Sequence, residues 1–175
     1  LLACNPTDIR RSVPSHRRLG ADFLSLILTR EPWSSVLARP QLVVVCAQVE
    51  GTINLENETV KPELTLLRSE IEQGLQLTGA SFERSLIVNS SDVGRLINAE
   101  RVRIGGALVL RLSDINSLRL LDAEIEGGVS FMGSAFERLV NADGVRVGGS
   151  LLLRDSEFFE ELDLLGADVG DDIQF

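Results

Sequence analysis

The chain has 175 residues, a formal net charge of −9 and 44% apolar residues. This apolar share is ordinary for a folded protein, and no segment approaches the ~18 consecutive apolar residues of a membrane-spanning helix. Residues 1–41 carry a net charge of +3 (six Arg, three acids), whereas residues 42–175 carry −12 (11 basic, 23 acidic). Because contacts with phosphate groups need Lys and Arg, the acidic second part argues against direct binding of nucleic acid.

Residues 1–41 are predicted to form a helical capping segment. The apolar run Phe23–Leu28 predicts one buried helix that starts at Gly20 or Asp22 and stops before Pro32. The segment does not follow the repeat described below, so we treat it as a separate unit.

The two cysteines, Cys4 and Cys46, form no disulfide framework or metal-binding motif in the sequence. Cys46 lies in a Val-rich stretch and is expected to be a small packing residue, with a bridge to Cys4 as the alternative. The opening Leu1–Cys4 resembles the end of a lipoprotein signal, which would anchor the protein in the cell envelope through Cys4. Without such a signal we favour a cytoplasmic location.

Over residues 42–175, a pattern of eleven residues repeats about twelve times. Large apolar residues occupy positions 1 and 3, a small residue usually occupies position 6, and a β-branched or aromatic residue occupies position 8. One unit shows the pattern with Leu75, Leu77, Ala80 and Phe82. A fixed period of this kind predicts a repeat architecture.

Short strands that all bend alike predict a coil rather than a flat sheet. Residues two apart on a strand share a face, so positions 1 and 3 point inward, as do positions 6 and 8 after a bend. Two units per turn give coils of 22 residues, with each strand ~4.8 Å from its equivalent in the next coil. The predicted fold is mainly β: a right-handed, parallel, quadrilateral β-helix of about six coils over residues 42–175, with the helical cap before it.

Glycines and one acid mark the predicted corners. A buried charge is costly, so Glu58, at a small inward position, predicts a loosened corner beside Lys61–Pro62. Six paired glycines that follow position 8 are predicted to take positive φ at tight corners, and no phosphate-binding motif contains them. These are Gly105, Gly106, Gly127, Gly128, Gly148 and Gly149.

The placing of a small residue two before a large apolar one, as in residues 123–125 and 167–169, resembles the pentapeptide-repeat proteins. That resemblance implies a right-handed quadrilateral β-helix, although the spacing here alternates five and six instead of five and five. Residues 145–154 and 162–170 more closely resemble a set of uncharacterised bacterial proteins, some of them named membrane-associated oxidoreductase. No residue here supports that name, and the resemblance implies a fold without a function.

Catalytic chemistry is poorly represented in the sequence. The only histidine, His16, lies in an Arg-rich stretch that is expected to be solvated. Asp171 and Asp172 at a corner would hold Ca²⁺ only weakly. We therefore predict that the protein is not an enzyme and has no catalytic, cofactor or metal site; an enzyme would need a pocket between the cap and the first coil.

Outward position 4 carries apolar residues in several units and predicts a partner surface formed by Leu67, Leu121, Met132 and Leu165. The first strand, with Val43–Val45, is apolar on both faces. We expect the N-terminal helix and Trp33 to cover it.

The leading functional hypothesis is a non-catalytic scaffold or protein-binding module. One alternative is an acidic DNA mimic that inhibits a topoisomerase, as some pentapeptide-repeat proteins do, and another is a lipid-anchored envelope protein. The acids at position 7 would form the mimic's face, with Arg103 and Arg146 interrupting it: Glu70, Asp92, Asp114, Glu124, Glu157 and Asp168. The last coil exposes strand edges, which predicts a fragment of a longer protein or an end covered by another chain, a second copy included.

Overall fold

A computed structural model describes residues 17–36 and 41–175, and it is a β-solenoid of about six parallel coils. The predicted fold class is confirmed. Successive coils stack their strands into four columns, which we call sides 1 to 4 in the order in which the chain meets them. Sides 2 and 3 belong to one sheet because two long strands run through both.

Each side is a parallel ladder with one strand from each coil. Side 1 contains β2 (Gln41–Val45), β6 (Glu63–Leu67), β10 (Leu86–Asn89), β13 (Leu108–Arg111), β16 (Val129–Ser130), β20 (Leu151–Leu152) and β24 (Ile173–Gln174). Side 2 contains β1 (Arg18–Gly20), β3 (Gln48–Glu50), β7 (Glu70–Ile71), β11 (Asp92–Asn98), β14 (Asp114–Arg119), β17 (Ala135–Phe136) and β21 (Glu157–Phe158). Side 3 contains β4 (Ile53–Asn54), β8 (Leu75–Gln76), the second halves of β11 and β14, β18 (Val140–Asn141) and β22 (Leu162–Asp163). Side 4 contains β5 (Thr59–Val60), β9 (Ser81–Phe82), β12 (Arg103–Ile104), β15 (Glu124–Ile125), β19 (Arg146–Val147) and β23 (Asp168–Val169).

The core lies inside the coils and consists of the inward residues that the pattern predicts. Leu64 and Leu66 are fully buried on the inner face, and Thr65 between them lies on the outer face, where it is only 8% exposed. Towards the last coils the core becomes aromatic: the ring centroids of Phe131 and Phe136 are 5.1 Å apart, as are those of Phe136 and Phe158. Stacking therefore buries an inner face that no coil buries alone.

One coil is a residue shorter than its neighbours. Leu108 pairs with Val129, 21 residues on, whereas most equivalent pairs lie 22 apart. The deficit falls between sides 2 and 3, where a register shift sets Gly94 and Arg95 opposite the single residue Asn116. The bulge keeps the inward residues on both sides of it in line.

Every coil turns two of its corners through a residue in the left-handed conformation, at position 5 of each unit. The φ angles lie between +50° and +68°. One corner column contains Cys46, Arg68, Ser90, Leu112, Gly133 and Asp155, and the other contains Asn57, Gly79, Arg101, Asp122, Gly144 and Gly166.

The expectation that the paired glycines take positive φ is wrong, because none of the six adopts a left-handed φ. They are needed because the backbone of the neighbouring coil passes too close for a side chain. A Cβ atom on Gly105 would lie 2.8 Å from the carbonyl oxygen of Glu83, and one on Gly148 would overlap the carbonyl oxygen of Glu126.

Two alanine substitutions separate these two roles of glycine. Gly166→Ala places a Cβ in ordinary van der Waals contact (3.5 Å from Asp143 Oδ1) at φ +67°, so only the left-handed backbone opposes it, at about 1–2 kcal/mol. Gly148→Ala drives a Cβ into backbone, and we expect a loss of about 3 kcal/mol or more. Chemical denaturation measures both; a larger loss for Gly166→Ala would contradict this assignment.

Serines stack at the corner between sides 1 and 2, directly after the left-handed residue. The hydroxyl oxygens of Ser69, Ser91, Ser113 and Ser134 accept the N–H of the equivalent residue in the preceding coil, as in Ser91 N–H to Ser113 Oγ (3.2 Å). The same hydroxyl donates to a backbone carbonyl, which for Ser113 is that of Arg111 (2.8 Å). The small residue at position 6 therefore pairs backbone groups that the bend leaves without ladder partners. The column contains Ser69, Ser91, Ser113, Ser134 and Ser156.

A matched pair of Ser→Ala variants tests this ladder. Ser113→Ala leaves the buried N–H of Ser91 unsatisfied and should cost about 1–3 kcal/mol of unfolding free energy. Ser130 is also buried, but its hydroxyl has no hydrogen-bond partner among the described residues. Ser130→Ala should be neutral or slightly stabilising, and equal losses for both variants in urea denaturation would refute the ladder's role.

The first coil is capped by a strand and a helix. The strand β1 extends side 2 by pairing in parallel with β3. The helix α1 (Ala21–Thr29) follows with Gly20 as its N-cap and ends before Pro32, as predicted. Its buried residues Ala21, Leu24 and Leu28 join the core, and a one-turn helix, α2 (Trp33–Val36), follows. The pKa of the Glu31 carboxyl lies below its ordinary value because the hydroxyls of Ser35 and Ser34 donate to it.

Several features of the first coil differ from expectation. Trp33 does not cover the first strand; it is 53% exposed, and Val43 and Val45 are exposed as well. Cys46 is not a packing thiol but takes part in a disulfide bond. The other cysteine, Cys4, and the basic stretch around His16 lie outside the described residues, as does the suggested lipidation site. Glu58 is half-buried at a corner, as predicted, and its Oε1 lies 3.8 Å from Nη2 of Arg30.

Candidate binding surfaces

The outward residues of side 1 form an apolar column. On this side the residue between the two inward residues of each strand lies on the outer face, and these residues stack in register across the sheet. Val43 is exposed, Ile87, Val109 and Leu152 are half-buried, and the polar residues Thr65 and Ser130 of the same column are buried. Outward residues at position 4 of the repeat add further apolar surface, although Asn89, Arg111 and Arg154 occupy this position in other coils. The apolar members are Val43, Ile87, Val109 and Leu152, with Val45, Leu67 and Met132 beside them.

The four residues of the predicted partner surface lie on two columns. Leu67 and Met132 belong to the apolar surface of side 1 and are half-buried. Leu121 and Leu165 follow side 3, and Asp143 separates them in their column. Leu165 is 71% exposed, whereas Leu121 is half-buried. Consecutive eleven-residue units face different directions, so the structure does not bring the four together.

Side 2 presents a column of acids. The register stacks Glu70, Asp92 and Asp114 on successive coils, followed by Ala135 and then Glu157. From β3 to β21 no basic residue interrupts this column. Six acids expected on one face therefore separate into four on side 2 and two on side 4.

Side 4 carries mixed charge, because Arg and acid alternate along its outer column. Glu124 lies between two arginines: its Oε2 is 3.1 Å from Nε of Arg103, and its Oε1 is 2.9 Å from Nη1 of Arg146. The next coil adds Asp168 to the column. These side chains are largely exposed, so the ion pairs contribute little stability, but they neutralise this face.

Open clefts lie on both sides of Glu124, with volumes of about 370 and 350 Å³. Gly105 forms part of the floor of one cleft, and Gly148 forms part of the floor of the other. Neighbouring coils carry glutamate at the equivalent position. A third cleft of about 330 Å³ lies between α1 and the corner at Asn57. Within residues 17–36 and 41–175, no group of three His, Cys, Asp or Glu side chains is placed to hold a metal ion.

The described helices are too short to span a bilayer. No protein-family model, curated protein or solved structure matches this chain. The fold therefore defines a β-solenoid protein, and its possible roles follow from its surfaces alone.

Sequence reasoning missed the apolar surface of side 1 because it examined only outward position 4. The signal was present at position 2 of alternate units, where Val43, Ile87, Val109 and Leu152 are apolar and only Thr65 and Ser130 are polar. Separating odd from even units, which lie on different sides, would have revealed both this column and the acidic one on side 2.

Proposed function

We propose that the chain is a non-catalytic β-solenoid scaffold that binds another protein through the outer surface of side 1. The observation that supports this is the apolar column of side 1, in which Ile87 and Val109 lie on adjacent strands, since apolar surface on a folded domain typically marks an interaction site. The outer columns of sides 2 and 4 are charged or polar. A partner would therefore find more apolar surface on side 1 than on side 4 or along the acidic column of side 2.

The structure of side 1 suits binding for a second reason. Its strands are held by backbone hydrogen bonds to the coils on either side, so the exposed residues stand on a rigid support. Binding to a preorganised surface costs less conformational entropy than binding to a loop. Arg111 and Arg154 border the apolar residues and offer charged contacts at the rim, where arginine is common in interfaces.

Site-specific photo-crosslinking tests this proposal. Val109 is replaced by benzoylphenylalanine in the source cells, and Gln76, an equally half-buried outward residue on side 3, carries the same substitution as a control. We expect a discrete protein adduct from position 109 and none from position 76. Equal adducts from both positions, or none from 109, would count against side 1 as a binding surface.

The acidic column of side 2 supports a second proposal, that the chain mimics DNA and inhibits a topoisomerase. The carboxylates of Glu70, Asp92 and Asp114 repeat there about every 4.8 Å, at the strand spacing, and Ala135 separates them from Glu157. A rod of like charge competes for a site that binds the phosphates of DNA.

A supercoiling assay tests the DNA-mimic proposal. The wild-type chain should inhibit the topoisomerase, and Glu70→Gln/Asp92→Asn/Asp114→Asn should weaken inhibition by about tenfold, because charge complementarity is lost. The control Glu83→Gln/Glu124→Gln/Glu126→Gln removes the same charge from side 4 and should inhibit like the wild type. Absence of inhibition by the wild type would end this proposal.

A further inference from the structure

Charges of opposite sign alternate along the outer column of side 4. The register stacks Arg103, Glu124, Arg146 and Asp168 on successive coils. The side chains of the two arginines are 74% and 69% exposed, and that of Glu124 is 44% exposed. From Arg103 onward the order of charge is therefore positive, negative, positive, negative, and these four residues together carry no net charge.

This order is complementary to its own reverse. Consider a second copy that faces side 4 with its long axis reversed, related to the first copy by a twofold axis level with the space between Glu124 and Arg146. Glu124 then lies opposite Arg146 of the second copy, and Arg103 lies opposite Asp168 of the second copy. Because twofold symmetry repeats each contact, four pairs of opposite charge form across the interface. Copies with parallel axes at equal height would instead bring like charges together.

The column between this one and side 1 leaves room for close approach. On the same four coils it contains Gly105, Glu126, Gly148 and Gly170. The same twofold axis sets Glu126 opposite Gly148 of the second copy and Gly105 opposite Gly170 of the second copy, so no two side chains collide in this column. The cleft of about 350 Å³ beside Gly148 is also lined by Arg146, and it offers the Glu126 carboxylate a place next to a cation.

The corner column on the other flank of side 4 has the same property. It contains Arg101, Asp122, Gly144 and Gly166 on these coils. Reversal sets Arg101 opposite Gly166 of the second copy and Asp122 opposite Gly144 of the second copy. Each long or charged side chain thus meets a residue without a side chain on both flanks of the charged column.

The distribution of charge favours side 4 over side 2 as the contact between two copies. The chain carries a net charge of −9, and two copies that met through Glu70, Asp92 and Asp114 on side 2 would repel each other. The alternating column of side 4 avoids this repulsion. All of its charge pairs lie within the described coils, and additional coils at either end would leave them in place.

We propose that two copies of this chain associate side by side, with antiparallel axes, through side 4. Glu124 and Arg146 lie at the centre of the contact. Because exposed ion pairs each contribute little free energy, the association is weak, and the alternating charges set its orientation more than its strength. Side 1 stays uncovered in this dimer, so the proposed scaffold function and the dimer can fail independently.

Two charge-swap variants of equal composition test the antiparallel orientation. Glu124→Arg/Arg146→Glu gives the order positive, positive, negative, negative, which is still complementary to its own reverse. Arg146→Asp/Asp168→Arg gives positive, negative, negative, positive, which sets like charges opposite each other in all four pairs. Both variants keep the net charge of the wild type, and circular dichroism checks that both fold.

Sedimentation velocity over a series of concentrations measures the dimerisation of each chain. We expect the first variant to dimerise within about threefold of the wild-type dissociation constant. The second should dimerise about thirtyfold more weakly or not at all, since four attractive pairs become repulsive. Equal dimerisation of the two variants would contradict the antiparallel contact, and a wild-type chain that stays monomeric at the highest concentration would overturn the proposal.

Amide NMR spectra of the wild type at increasing concentration locate the contact. We expect shifts at Arg103, Glu124, Arg146 and Asp168 and none on sides 1 and 2. Shifts confined to side 1 would assign the dimer to the apolar column and refute a contact through side 4. The photo-adduct from position 109 reports on side 1 alone, so it distinguishes failure of this dimer from failure of the proposed scaffold function.

Discussion

The stacking of each coil on the one before it, in a fixed register, is the constraint on which the rest of the structure depends. Strands of two to seven residues are too short to be stable alone, and their hydrogen bonds and apolar contacts come almost entirely from neighbouring coils. Register also decides which residues meet. Glu70, Asp92 and Asp114 form a column, and Glu124 lies between two arginines, only because equivalent positions return every 22 residues, or 21 across the short coil.

The inward-facing residues of each coil could be predicted from the sequence because burial restricts residue type strongly. Leu64, Leu66 and Ile71 recur at fixed intervals, and alternation along a strand assigns them to the interior. The left-handed corners could not be predicted in the same way. Position 5 accepts Arg68 and Leu112 as well as glycine, so its backbone conformation leaves little trace in composition. The paired glycines were assigned to corners for the wrong reason, because proximity of the next coil is a property of stacking.

It was harder to predict which outward-facing residues lie together, because positions that face solvent tolerate many residue types. Leu67 and Leu121 occupy the same position of the repeat but belong to different sides, and only the coil geometry separates them. The strand β1 was missed because a three-residue Arg-Leu-Gly segment has no periodicity of its own; it forms by pairing with β3.

The short coil shows which changes in chain length this architecture tolerates. One residue is missing between Leu108 and Val129, and the bulge at Gly94 confines the mismatch to a single bend. A loss elsewhere would turn every following inward side chain outward. Insertion or loss of a whole coil, by contrast, changes only the height, in steps of about 4.8 Å. The height of the molecule therefore changes only by whole coils. Duplication of a 22-residue segment lengthens it without altering the spacing of features along any of its faces.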